Sequence, residues 1–245
     1  MINNMKRMTL VSSLLLLISS SLSCDNDLVE YKQGDLKVSI VQGDEWLHDF
    51  PLFLGIKKKN PPQIAIWLED TDGHYLTTVY ATHKIATQSW QNAGGSRRKE
   101  ALPCWCYSRG VKYADGLYLP TKDQPLTDGI SGATPHTGFD MKMSPASGLK
   151  KFVVKVEINH STDFNDSYPK SAKPCDSNYS GGKEGSGQPA LVYEADVDLT
   201  SGKKSFDAVL NGHSSPDGTS GEIYKDMSGI TTALNIVKQI IINVQ

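Results

Sequence analysis

The strongest candidate for chemistry in this sequence is a short segment that ends in a hydroxyl side chain. It reads Asp128-Gly129-Ile130-Ser131-Gly132-Ala133-Thr134. A hydroxyl is a poor nucleophile until a metal or a base activates it, and small residues such as Gly132 and Ala133 let a backbone come close to a phosphate. The same residue types also favour a tight turn for purely local reasons. The segment therefore predicts either an acceptor site at Thr134 or a turn between two loop segments.

Three cysteines form the second candidate. Cys104 and Cys106 flank Trp105, and Cys175 lies far along the chain. In an oxidising compartment we expect a disulfide from Cys175 to Cys104 or Cys106, which would link two long loops. Cysteines one residue apart cannot bond to each other without strain, so one thiol should remain free. Free thiols throughout and a three-thiolate metal site are the alternatives, although no histidine has ligand spacing nearby.

The histidines form no recognised catalytic or metal-binding pattern. No two of them have the i, i+4 spacing of a helical metal site, and the sequence holds no Gly-x-Ser-x-Gly elbow, phosphate loop or dinucleotide fingerprint. Five histidines are expected at the surface or on strands: His74, His83, His136, His160 and His213. The sequence thus predicts no catalytic residue and no metal site, and a protein that is not an enzyme.

The elements that must position these residues are strands. One run has apolar side chains at every second position, namely Phe152, Val154, Val156 and Ile158. The intervening positions, which include Glu157 and Asn159, are expected to face solvent. A period of two with one solvated face is typical of antiparallel sheets packed face to face. We therefore predict an all-β fold, a single antiparallel β-sandwich of immunoglobulin-like character over residues 36–245.

Two long excursions interrupt the alternation. Residues 91–148 are rich in Gly, Pro and aromatic side chains, and residues 161–188 are polar and glycine-rich. Loops of this length are either functional or disordered, so we expect any activity to lie in residues 91–148. Four aromatic residues near the loop bases either cap the sandwich core or line a ligand groove: Trp67, Trp90, Trp105 and Tyr107.

The N-terminal residues predict that the protein is located in the cell envelope. Lys6 and Arg7 precede an apolar run that is too short to cross a bilayer, which needs roughly 20 residues. This arrangement is typical of a cleaved signal peptide, here residues 1–23. Cys24 follows a run of small residues and resembles the lipidated cysteine of a bacterial lipobox. Residues 24–35 would then be an acidic, lipid-anchored tether, which holds a domain to a membrane without spanning it.

The charge balance excludes one class of partner. The chain has 25 Lys+Arg and 27 Asp+Glu, a formal net charge of −2. A protein that coats nucleic acid needs a strong basic excess to neutralise phosphates. We therefore expect no nucleic-acid partner.

Several segments together resemble a family of predicted periplasmic proteins, the domain of unknown function 2271. The matching segments are residues 66–70 with Gly73, residues 102–105, residues 128–135 and residues 156–159. The resemblance covers roughly residues 36–199, and the order and spacing of the segments carry it. It implies a β-rich envelope domain without an established activity. Members of the family often occur with flavin-transfer and membrane electron-transfer components, which implies a flavin transferase and a redox membrane protein as partners.

Residues 128–134 also resemble the acceptor sequence of covalently flavinylated proteins, which is Asp, two variable residues, Ser or Thr, Gly, Ala and Thr. In those proteins a magnesium-dependent transferase takes FMN from FAD and joins the FMN phosphate to the final threonine. The resemblance implies that Thr134 is the acceptor and that Asp128 and Ser131 present the loop. Gly132 and Ala133 would clear space for the transferase.

Two functions follow as expectations. The first is an outer-membrane lipoprotein facing the periplasm or the cell surface, a non-enzymatic binding or accessory module without a cofactor. The alternative is an electron-transfer protein that carries covalent FMN on Thr134.

Overall fold

The computed structural model describes residues 35–51, 54, 56–90, 97–127, 129–145 and 148–244. The predicted signal peptide, the predicted lipidation site Cys24 and nearly all of the predicted tether lie outside these residues. Asp128, the first residue of the acceptor-like segment, also lies outside them, whereas Thr134 lies within.

The described chain is built mainly of strands. They are β1 Leu36–Gln42, β2 His48–Pro51, β3 Lys57–Asn60, β4 Gln63–Glu69, β5 Tyr75–Thr82, β6 Ile130–Gly132, β7 Phe139–Met143, β8 Lys151–Asn159, β9 Leu191–Asp198, β10 Ser205–Asp207, β11 Val209–His213 and β12 Val237–Val244. The helices are α1 His83–Thr87 and α2 Pro103–Ser108, with 3₁₀ turns at Gly182–Glu184 and Thr232–Asn235. No helix in the described ranges has the length and apolar composition that crossing a membrane requires.

The strands form two main sheets. One has four strands in the order β10-β12-β1-β7, and the other has six in the order β11-β9-β8-β4-β5-β6. The strand pairs within both sheets are antiparallel except β5–β6, which is parallel. Strands make up 37% of the structure and helices 9%. The prediction of an all-β fold with antiparallel sheets in a sandwich-like arrangement is confirmed.

The main core lies between the two sheets. Each β8 residue that the alternation predicts to be apolar is at most 1% exposed. These side chains pack in one cluster with Leu36 and Val38 of β1 and with Ile240 and Ile242 of β12. Burial of apolar surface contributes roughly 25 cal/mol per Å², so this cluster is the main source of the sandwich's stability.

The β4–β5 hairpin is closed by a turn at residues 70–74. Asp70 Oδ1 accepts hydrogen bonds from the backbone N–H groups of Asp72 and His74, at 2.9 and 2.8 Å. Gly73 has a φ of +85°, a conformation that glycine adopts without strain. Asp70, Asp72 and His74 each have one atom that could ligate a metal ion, and these three atoms lie within 4.8 Å of one another. The Asp70 carboxylate is already engaged in closing the turn, which gives the grouping a structural role.

A second hydrophobic cluster covers the outer face of the six-stranded sheet. Ala65 and Trp67 of β4 pack there against α1 and against Trp105 of α2. Trp67 and Trp105 are both fully buried, which favours the core alternative over a ligand groove for these two residues. Part of the excursion from residue 91 to 148 is therefore structural: it supplies α2 to this layer, β6 to one sheet and β7 to the other.

The structure corrects the solvated face predicted for β8. Glu157 is fully buried and Asn159 is 2% exposed, because α2 and the residues around Gln188 cover the face that the alternation assigned to solvent. The alternation identifies two different faces of a strand, and it does not identify which elements later cover the polar one.

The expected disulfide is also corrected. All three cysteines within the described residues are free. Cys104 and Cys106 lie in α2, where they are buried in the outer cluster, whereas Cys175 is exposed. Burial raises the pKa of both α2 thiols, so they stay protonated and unreactive.

Candidate functional site

Thr134 lies in the connection between the two sheets. It follows β6, the last strand of the six-stranded sheet, and precedes β7, the last strand of the four-stranded sheet. Among the described strands, β6 pairs only with β5, in a parallel register that sets Ser131 beside Ala81 and Gly132 beside Thr82. Residues 130–132 therefore form an edge strand and not a tight turn at Ser131-Gly132. The other proposed turn, at Asp128-Gly129, includes Asp128, which lies outside the described residues.

The acceptor-like segment is at the surface. Ser131 and Ala133 are exposed, and Gly132 and Thr134 are half-buried. An edge strand has unpaired backbone groups along one side, so this part of the chain is accessible to another protein.

Two aromatic side chains hold the backbone on either side of Thr134. Tyr80 Oη donates to the carbonyl of Ala133 at 3.0 Å, and Trp46 Nε1 donates to the carbonyl of Pro135 at 3.2 Å. Pro135 also disfavours the helical region for the residue before it. These three constraints fix the backbone from which the Thr134 side chain projects.

Gly129 and Gly132 lie where the segment packs closely on β5. A Cβ on Gly129 would lie 2.7 Å from Cγ2 of Thr78, and one on Gly132 would lie 3.2 Å from the ring of Tyr80. Both distances are shorter than ordinary van der Waals contact. The small residues thus let β6 approach β5 closely, a reason for glycine that the sequence does not reveal.

Thr134 lines a cavity of about 230 Å³, here named the Thr134 pocket. The lining comes from β3, from the residues that lead into β4, from α1, from the residues after β6 and from one residue after β8. The lining residues are Lys58, Asn60, Pro61, Gln63, Lys84, Ala133, Thr134, His136 and Ser161. None of these described lining residues is acidic. The pocket offers cationic, amide and hydroxyl groups, which suits an anionic ligand.

The β2–β3 ribbon separates its three lysines by face. Asp49 lies opposite Lys59 in the register and forms ion pairs with Lys57 at 3.4 Å and with Lys59 at 2.7 Å. Lys58 lies between them on the strand, so its side chain leaves from the other face. Lys58 lines the Thr134 pocket.

Lys84, from α1, is the second cation of the pocket. Burial lowers the pKa of its ammonium, and repulsion from Lys58 and Arg98 lowers it further. Neither Lys58 nor Lys84 forms an ion pair with a described carboxylate. The ring of Trp90 lies 5.9 Å from Lys84 Nζ, but no described carboxylate balances the positive charge of the pocket.

A buried ion pair supports the pocket wall at Ser161. Arg98 Nε donates to Glu100 Oε1 at 3.1 Å, and Arg98 Nη1 donates to Ser161 Oγ. Arg98 Nη2 donates to Ser186 Oγ at 3.1 Å. Arg98 and Glu100 are about 5% exposed or less, so this network ties three loops together behind the pocket.

Sequence reasoning missed a histidine–aspartate grouping. His48 Nδ1 lies 3.9 Å from Asp163 Oδ1, and the rings of His48 and His160 are 5.3 Å apart. Thr232 Oγ1 donates to Asp163 at 2.6 Å and does not contact either imidazole. A nucleophilic triad needs the hydroxyl on the histidine, so this arrangement does not supply one.

The same region has a strained residue. Thr162 has a φ of +62°, which is uncommon for a residue other than glycine. Its carbonyl accepts a hydrogen bond from His48 Nε2 at 3.2 Å.

Burial lowers the pKa of neighbouring His160 to about 4, so that histidine is neutral at pH 7. The distance in sequence between His48 and residues 160–163 explains why no spacing pattern indicated the grouping.

Glu157, which the alternation predicted to face solvent, is a second buried acid. Glu157 accepts backbone N–H groups at the start of α2, from Cys104 at 3.1 Å and from Trp105 at 2.8 Å. Burial raises its pKa to about 8, although the two hydrogen bonds oppose that rise. Its position under α2, closed to solvent, gives it a structural role.

The Thr134 pocket is the site in the described chain that combines a nucleophile with uncompensated charge. Thr134 supplies a hydroxyl, and Lys58 and Lys84 supply cations from two separate elements. Such an arrangement can hold a phosphate beside a hydroxyl oxygen. Comparisons with protein-family models, with curated proteins and with solved structures find no match to this chain.

Proposed function

We propose that this protein is a non-enzymatic carrier of FMN in the bacterial cell envelope, with the FMN phosphate esterified to Thr134 Oγ1. The observation that carries the proposal is the position of Thr134 in a pocket with Lys58 and Lys84 and without a described acid. The resemblance of residues 128–134 to a flavinylation acceptor supports the same residue independently.

The residues present fit the phosphate end of the cofactor. A phosphodiester carries a negative charge, which the two lysines would neutralise, and Asn60 and His136 add polar groups to the lining. The cavity of about 230 Å³ is smaller than the roughly 300–1,000 Å³ of pockets that enclose a drug-sized ligand. It therefore suits a phosphate and its nearest atoms rather than an entire flavin.

The proposed modification balances as a transfer from FAD. Thr134 Oγ1 forms a bond to the phosphorus of the FMN half, the bond that joins the two phosphates of FAD breaks, and AMP leaves. The hydroxyl proton passes to a base or to solvent. A partner transferase with Mg²⁺ would activate the hydroxyl, since no described side chain is hydrogen-bonded to Thr134 as a base.

Bound FMN would supply redox chemistry, and the protein would supply its attachment and its electrostatic surroundings. Tyr80 and Trp46 hold the backbone at the attachment point. We propose a flavin transferase and a redox membrane protein as partners, and a lipid anchor at Cys24 that keeps the carrier at the membrane.

The test is co-expression of the full chain with a bacterial flavin transferase. We expect flavin absorbance and an FMN-sized mass gain on the peptide that contains Thr134. Thr134→Ala should lose both signals, and Thr134→Ser, which keeps a hydroxyl, should retain a measurable share.

Thr137→Ala provides the matched control, because Thr137 is an exposed threonine three residues along the same connection. Its modification should equal that of the unaltered chain. An unmodified chain in the presence of active transferase would contradict the proposal, and so would a mass gain that persists in Thr134→Ala.

A further inference from the structure

We propose that Lys58 and Lys84 form a phosphate-binding pair, which captures the phosphate of a flavin nucleotide non-covalently before attachment and holds it beside Thr134 afterwards. This inference rests on the proposed function and deepens it, because it assigns the recognition of the phosphate to two residues of this chain.

The two lysines reach the pocket from different elements. Lys58 comes from β3, in the two-stranded ribbon, and Lys84 comes from α1, directly after β5. Both line the same cavity as Thr134. Burial is the main cause of the lowered pKa of Lys84, and the positive charge of Lys58 lowers it further. Two cations that repel each other across a cavity favour an anion between them.

The surrounding charges do not supply that anion. Glu100, the acid beside Arg98, is paired with the Arg98 guanidinium, and Asp49 is paired with Lys57 and Lys59 on the other face of the ribbon. Of the described carboxylates, none pairs with Lys58 or Lys84. A bound phosphate would therefore relieve an existing repulsion as well as make new contacts.

The ribbon itself provides a control. Lys58 and Lys59 are neighbours with the same side chain, and only Lys58 lines the pocket. Lys59 is 62% exposed and points to Asp49. Because Lys59 is already paired with Asp49 on the opposite face of the strand, neutralising Lys59 should affect a phosphate in the pocket far less than neutralising Lys58.

The experiment uses the full chain with Thr134→Ala, which cannot be esterified there and keeps both lysines. FMN, riboflavin and inorganic phosphate are titrated by calorimetry at physiological salt. We expect FMN to bind more tightly than riboflavin, and phosphate to compete with FMN. Adding Lys58→Gln and Lys84→Gln should weaken FMN binding by about tenfold or more and leave riboflavin unchanged, whereas adding Lys59→Gln should change FMN binding less than about twofold.

Charge-preserving variants guard against a folding defect. Lys58→Arg and Lys84→Arg should keep FMN tighter than riboflavin, and circular dichroism should confirm equal folding across the set. Equal affinities for FMN and riboflavin in the Thr134→Ala chain would overturn the phosphate-binding pair. Equal losses in the Lys58→Gln, Lys84→Gln chain and the Lys59→Gln chain would overturn it as well.

The two proposals fail in different ways. If the unaltered chain is flavinylated but neither lysine affects FMN binding, the phosphate-binding pair is wrong and the carrier function stands. If the lysines bind FMN selectively but active transferase leaves Thr134 unmodified, the pair stands and covalent attachment is wrong.

Discussion

Glu157 is an acid that folding removes from water altogether. Its pKa in the folded protein is about 8, against a usual value of 4.5. Between these values the unfolded chain has released the Glu157 proton and the folded chain still holds it. The folded state therefore binds more protons, so the Glu157 contribution to stability is present below about pH 4.5 and is lost as the pH rises through about 8.

Glu157→Gln should remove this dependence, because the amide does not titrate. We expect the free energy of unfolding of the unaltered chain, relative to that of Glu157→Gln, to fall as the pH rises across this interval. Urea denaturation at a series of pH values measures the difference. Glu184→Gln, at an exposed position, is the control and should follow the unaltered chain; identical pH profiles for all three proteins would show that Glu157 titrates normally.

The position of β6 depends on two glycines at its contact with β5. Gly129→Ala would bring a Cβ to within 2.7 Å of the Thr78 side chain and 3.0 Å of the Thr78 carbonyl oxygen. We expect the substitution to destabilise the protein by about 1–3 kcal/mol, the usual cost of overpacking, because Thr78 is itself held by a hydrogen bond from Trp105 Nε1.

Thermal and urea unfolding measure this loss, and mass spectrometry measures any accompanying loss of modification at Thr134. For the stability measurement alone, Ser131→Ala is the matched control within β6, because Ser131 is exposed and its replacement should cost less than about 0.5 kcal/mol. A Gly129→Ala protein as stable as the Ser131→Ala protein would show that β6 does not need this close approach.

The thiols test the layered arrangement of the whole molecule. Cys104 and Cys106 are buried within the outer cluster, and Cys175 is exposed. A thiol-specific reagent should therefore label Cys175 in the native protein, with Cys104 and Cys106 labelled only after unfolding. Peptide mapping identifies each site. Recovery of a peptide in which Cys175 is joined to Cys104 or Cys106 would contradict the structure.

Much of the sandwich could be predicted because its strands have one apolar face. The alternation in β8 identifies the core positions of that strand correctly. The outer layer could not be predicted. α2 has six residues, too few for a helical period to emerge, and its contact with Glu157 joins residues about fifty positions apart.

The residues of the candidate site also divide into one that the sequence could identify and two that it could not. Thr134 could be identified from local sequence because the acceptor-like segment is continuous. Lys58 and Lys84 could not, since lysines in an exposed strand and a five-residue helix look like ordinary surface charges. Only the pairing of β3 with β2 and the packing of α1 bring them to the same cavity.

The connection between β6 and β7 links the end strands of the two sheets within a few residues. A chemical group attached to Thr134 would therefore be linked through a few residues of backbone to both sheets. Any shear of one layer across the other would then alter the surroundings of that group. A chromophore at this joint would report, through its spectrum, relative displacements of the sheets that a probe within either sheet would not detect.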